Sequence, residues 1–120
     1  MDKTLDLARR FLKAAQYIVG TKDTDLLAPV FSDISFAIEL CLQFLLSDSK
    51  VQVIQPCSMV ELMGLLAVRG YSLDKWLAQY ADELDNWETG MLLSVDPALY
   101  IEGLRRGQEL LEYCKSLDAE

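Results

Sequence analysis

Residues 31–46 read FSDISFAIELCLQFLL, a segment that the remainder of the chain must pack against. Ile34, Ile38, Cys41, Leu42 and Leu45 recur at the three-and-four spacing of one helical face. Phe31, Phe36, Leu40, Phe44 and Leu46 widen that face and leave a narrow polar strip of Asp33, Ser35, Glu39 and Gln43. A helix apolar around most of its circumference belongs at the centre of a bundle rather than on its surface. Asp33, Glu39 and Gln43 interrupt the run before it reaches the roughly 18 consecutive apolar residues of a membrane span. The segment therefore reads as the core helix of a soluble protein, with no membrane partner.

The flanking sequence supplies the helices that would cover it. Before it, Leu5, Ala8, Phe11, Leu12, Ala15, Ile18 and Val19 form one stripe, with Gly20 placed to cap the helix. Thr24 or Asp25 could open the second helix, and Pro29 is tolerated in its first turn. After it, VQVIQPC (51–57) alternates apolar and polar residues but is too short for a sheet, so it reads as an extended loop. Ser58 and Glu61 have the spacing of a capping box, and the helix they open carries Met59, Leu62, Met63, Leu66 and Ala67 and stops at Gly70.

Ser72 is placed to cap a fourth helix, in which Leu73, Leu77, Tyr80, Leu84, Trp87 and Met91 form a heptad seam. Asp82, Glu83, Asp85 and Glu88 lie opposite, as a solvated face. Gly90 interrupts the end of this helix, and Asp96-Pro97 restarts the chain. In the last helix Leu104, Leu111 and Cys114 face inward, while Gly103 and Gly107 would let another helix approach closely. The expectation is an all-α, up-and-down bundle of about five helices, near 4–19, 26–47, 59–69, 73–92 and 97–117, forming one domain over residues 1–120.

Composition excludes several chemistries. The chain has 120 residues, 52% of them apolar, and no histidine. Histidine-based acid–base catalysis, Ser-His or Cys-His nucleophiles and the commonest zinc sites are therefore ruled out. Cys41, Cys57 and Cys114 have no Cys-x-x-Cys spacing and read as free thiols, two of them at apolar helical positions. The charged, amphipathic start lacks the apolar core of a secretory signal, and a cytoplasmic location is expected. With 19 acidic and 11 basic residues the formal charge is −8, which disfavours extended nucleic acid and suits a basic partner. GLRRG (103–107) lies inside a helix and lacks the Gly-Lys-Ser/Thr ending of a phosphate loop. No metal-ligand cluster is evident, and no cofactor is expected.

Five residues stand out as candidates for a ligand or partner groove: Glu39, Gln43, Trp87, Arg105 and Arg106. A carboxylate at Glu39, on the most apolar helix, must be paired, protonated or at a groove edge. Arg105-Arg106 could join Arg9-Arg10 as an anion site. Adjacent helical residues diverge by about 100°, so each doublet splits across faces, and the plentiful acidic neighbours favour local ion pairs over a shared anion site.

Ala37-Ile-Glu39-Leu-Cys-Leu42-Gln43-Phe-Leu-Leu46 resembles the A-x-E-x-x-L-K-x-x-L signature of the HEPN superfamily of small all-helical domains. The order that follows is also similar, with Cys57-Ser58-Met59 at the family's His-Asp-Leu-like start. The departures are Gln43 for the usual lysine, Cys57 for the histidine and Gly90-Met91 for an Arg-Tyr pair. Catalytic members cut RNA with an arginine followed four to six residues later by histidine, which this chain lacks. The resemblance implies a non-catalytic, dimeric interaction module acting beside a nucleotidyltransferase or a toxin–antitoxin or defence component. The alternative is a protein that binds a small nucleotide or processes RNA through carboxylate and arginine side chains.

Overall fold

The computed structural model describes residues 2–21, 27–48, 58–89 and 97–119. Among them the chain is all-α without a strand: α1 Lys3–Thr21, α2 Leu27–Asp48, α3 Met59–Val68, α4 Lys75–Gln79, α5 Ala81–Thr89 and α6 Pro97–Asp118. The helical bundle expected from the sequence is the fold. Thr24, Asp25, the 51–57 loop with Cys57, Gly90, Met91 and Asp96 lie outside the described residues.

α2 is the axis of the molecule, packed against α1, α3, α5 and α6. Its Ile34, Ala37, Ile38, Cys41, Leu42, Leu45 and Leu46 are fully enclosed. The stretch Pro29–Ser47 is long and apolar enough to cross a bilayer by length and composition, yet 61% of it is buried against the other helices. Its apolar surface therefore serves the protein's own core.

Helix directions follow from the close contacts. Gly103 lies against Ile34 and Gly107 against Ile38, so α6 runs parallel to α2. Ser32 donates to the Trp87 carbonyl at 2.9 Å and Ser35 donates to that of Leu84, so α5 runs antiparallel to α2. The Asp2 amide donates to the Asp118 carboxylate at 3.1 Å, which joins the start of α1 to the end of α6 and sets those helices antiparallel.

The helix ends show where local signals held and where they moved. Asp2 caps α1, accepting from the Thr4 and Leu5 amides at 2.7 and 3.3 Å. Gly20 does not stop it, and α1 continues through Thr21, whose hydroxyl donates to the Ile18 carbonyl at 2.6 Å. Ser58 caps α3 as expected: its hydroxyl accepts from the Glu61 amide at 3.1 Å and lies 3.4 Å from the Glu61 carboxylate. α3 ends in a Schellman turn, with Gly70 at φ 91° and the Tyr71 amide donating to the Leu66 carbonyl at 3.1 Å.

The helix expected over 73–92 is divided. Its cap is Asp74 rather than Ser72, accepting from the Trp76 amide at 2.8 Å. The Tyr80 backbone (φ −103°, ψ 20°) then separates α4 from α5. The heptad seam nevertheless persists across the break, since Leu77, Leu84 and Trp87 are all buried.

Candidate functional site

The polar strip of α2 divides in two. Ser32 and Ser35 are spent on α5, where they donate to backbone carbonyls. Glu39 and Gln43 continue the same strip one and two turns later and remain half-buried. Trp87 does not line a groove beside them. It is 1% exposed, meets the Phe31 ring edge-on at 4.5 Å and closes over Gly103. It is a core residue.

The basic doublets are held apart. Arg9 and Arg10 both pair with Asp6, at 2.8 and 3.1 Å. Arg105 pairs with Glu102 and Glu109, and Arg106 pairs with Glu102 and with Asp74 at the start of α4. Hydrogen bonds from Arg105 and Arg106 hold the Glu102 carboxyl below its ordinary range, and the two guanidiniums are raised in turn. Arg9, followed by Arg10, does the same for Asp6. Where α1 meets α6, Arg9 joins Lys13 and Lys115 around a hollow of about 290 Å³, but neither Arg105 nor Arg106 reaches it. The four guanidiniums do not converge.

Arg106 instead lines a groove of about 350 Å³ between α4 and α6, together with Asp74, Leu77, Leu110, Tyr71 and Tyr113. That volume is at the small end of known ligand sites. Glu39, Gln43, Trp87 and Arg105 stand outside it. Sequence reasoning missed Tyr71 and Asp74 here because the register of the α4 cap was set two residues early. Among the described residues no three carboxylate or thiol side chains gather as a metal ion requires. Cys41 and Cys114 are buried free thiols, the second directed at the Cys41 carbonyl at 3.7 Å. Contact with Cys114, and then burial, pushes the Cys41 thiol far above its usual range, which disfavours the thiolate.

The most conspicuous surface is on α3. Its inner face, Met59, Leu62, Met63 and Leu66, is buried. Its outer face carries Val60, Leu65 and Val68, which are 50%, 38% and 84% exposed, with Gly64 and Ala67 exposed between them. Of the apolar positions read for this helix, Ala67 is the one on the outside. The sequence signal was present: a ten-residue helix apolar on every side has more apolar surface than one core contact can use. Asp85, read as part of a solvated face, caps this helix from α5 by accepting from the Met59 amide at 2.9 and 3.2 Å. Comparison with protein-family models, with characterised proteins and with solved structures yields no match to this chain.

Proposed function

We propose that the chain is a non-catalytic, HEPN-like helical bundle that acts as a dimeric interaction module, beside a nucleotidyltransferase or a toxin–antitoxin or defence component. The observation that carries this reading is the outer face of α3, where Val60, Leu65 and Val68 present apolar surface that the bundle does not use. Scattered exposed apolar residues need no explanation, whereas several on one short helix mark an interaction site. The family part rests on the Ala37–Leu46 pattern, and the absence of histidine removes the family's RNase chemistry.

The groove at Arg106 favours a second reading, binding of a small nucleotide or related anion. Against it, Arg106 is already neutralised by Glu102 and Asp74, and a phosphate would have to displace them. Light scattering on purified protein, with and without a panel of nucleotides, separates the two. A dimer whose mass and melting temperature ignore nucleotide supports the interaction module. A monomer whose melting temperature rises with nucleotide concentration by mass action overturns it in favour of the groove.

A further inference from the structure

We infer that the surface of self-association is the outer face of α3, and that two copies pair their α3 helices antiparallel about a two-fold axis at Gly64–Leu65. The inference rests on the dimeric reading above and names its face and register. Three of the seven exposed large apolar residues of the described chain lie on this one helix. With Gly64 and Ala67 they span an arc of about 160°, and Glu61 is the one charge within it. Leu7, by contrast, lies between Lys3, Asp6 and Arg10.

Gly64 is the second observation. A glycine inside a helix lowers its stability relative to alanine, and here a Cβ would meet nothing within 4 Å in its own chain. The bundle has no packing use for it. Gly103 and Gly107, by contrast, each face a close neighbour. A glycine on an exposed apolar helix face is explained by the close approach of a helix from outside, with the partner's Leu65 seated over the gap.

The charges choose the occupant. Copies that each carry −8 repel one another except where apolar surface and opposite charges meet. Glu61 stands near one end of the face and Arg69, exposed at the cap, at the other. An isologous antiparallel pair sets the Val60–Glu61 end of each copy against the Val68–Arg69 end of the other, so both ion pairs form at once. A parallel pair would set like charges together. One short helix pair buries an area toward the low end of specific interfaces, below about 1,200 Å² in total, so a dimer in the micromolar range is expected.

The experiment is light scattering and sedimentation over a concentration series, on the full chain and on variants, with circular dichroism and thermal melts as controls of folding. Val68→Glu and Val68→Lys change a side chain that the core does not touch. Both are expected to leave the melt of dilute protein unchanged and to weaken the dimer by about tenfold or more, the scale of losing one apolar anchor of the interface. Glu61→Arg and Arg69→Glu should each weaken it, and the double variant should recover it. Gly64→Ala should raise the melting temperature of the monomer while weakening the dimer. A wild-type monomer at every concentration removes the dimeric reading itself. A dimer that survives both Val68 variants removes α3 as its face while leaving that reading standing. Loss without recovery in the charge swap removes the antiparallel register.

Discussion

One substitution, glycine to alanine, has a different expected outcome at three positions, and the surroundings alone decide the sign. Added to Gly103, a Cβ would lie 3.1 and 3.3 Å from the Trp87 ring and 3.4 Å from Ile34. The ring cannot retreat, because Phe31 packs against it at 4.5 Å. At Gly107 the nearest atom, at 3.1 Å, is the end of the flexible Leu12 side chain, and a methyl group can swing away. Alanine in a helix gains about 1 kcal/mol over glycine, whereas overpacking a tight core costs about 1–3 kcal/mol. Urea denaturation should therefore show Gly103→Ala destabilised by about 1 kcal/mol net and Gly107→Ala close to neutral. Gly64→Ala, in open space, should be stabilised by up to about 1 kcal/mol in dilute protein. A stabilised Gly103→Ala would mean that Trp87 can repack, and that Phe31 does not hold the ring in place.

Helices in this chain are fixed as much by side chains borrowed from other helices as by their own sequence. Asp74 caps α4 and also binds Arg106 on α6, and Asp85 on α5 caps α3. The two roles of Asp74 can be separated. Asp74→Ser keeps an oxygen for the Trp76 amide and loses the ion pair, while Asp74→Ala loses both. Caps are worth about 1 kcal/mol and partly exposed ion pairs about 0–1 kcal/mol. Chemical denaturation should place Asp74→Ser within about 1 kcal/mol of wild type and Asp74→Ala lower by about 1 kcal/mol more. Equal losses would mean that the ion pair to Arg106, and not the cap, holds α4. The same borrowing marks what could be read from the sequence. Periodicity located α2, the capping box at Ser58 and the stop at Gly70, because those signals lie within a few residues of one another. Asp74, Asp85 and the outer face of α3 escaped because each depends on a partner distant in the chain. Trp87 was legible as a seam residue, but which neighbour closes over it is a tertiary fact. Of the five candidate site residues, Arg106 lies in a groove, for a reason that spacing could not supply: Asp74 reaches it from 32 residues away.

The charge of the whole chain sets how its stability responds to pH, and the individual carboxyls give the sign. At pH 7 the formal charge is −8, and it falls toward zero near the isoelectric point of about 4.4, so self-repulsion eases with mild acid. Burial raises the Asp33 carboxyl above its reference of 3.8. Its ionised form therefore costs stability in the folded state, fully above its folded pKa, and the cost is relieved as the pH falls toward that reference. Asp6 and Glu102 act in the opposite sense. Their arginine partners hold them below the ordinary range, so their contribution is present at neutral pH and is lost only as the pH falls through their depressed values. On mild acidification from pH 7 the repulsion eases, and the burial cost of Asp33 is relieved as its raised pKa is approached, while the loss of the Asp6 and Glu102 contribution waits for lower pH. The melting temperature should consequently rise on mild acidification and then fall once Asp6 and Glu102 take up protons. Two controls separate the causes. Adding about 0.5 M salt, which shortens the Debye length to roughly 4 Å, should raise the pH 7 melting temperature by removing repulsion while leaving the burial cost of Asp33. Asp33→Asn should stabilise at pH 7 by under about 1 kcal/mol, since solvent still reaches the site, with the gain shrinking toward pH 4. A melting temperature that instead falls steadily from pH 7 to 5, before the arginine–carboxylate clamps on α1 and α6 begin to release, would mean that self-repulsion does not limit the stability of this chain.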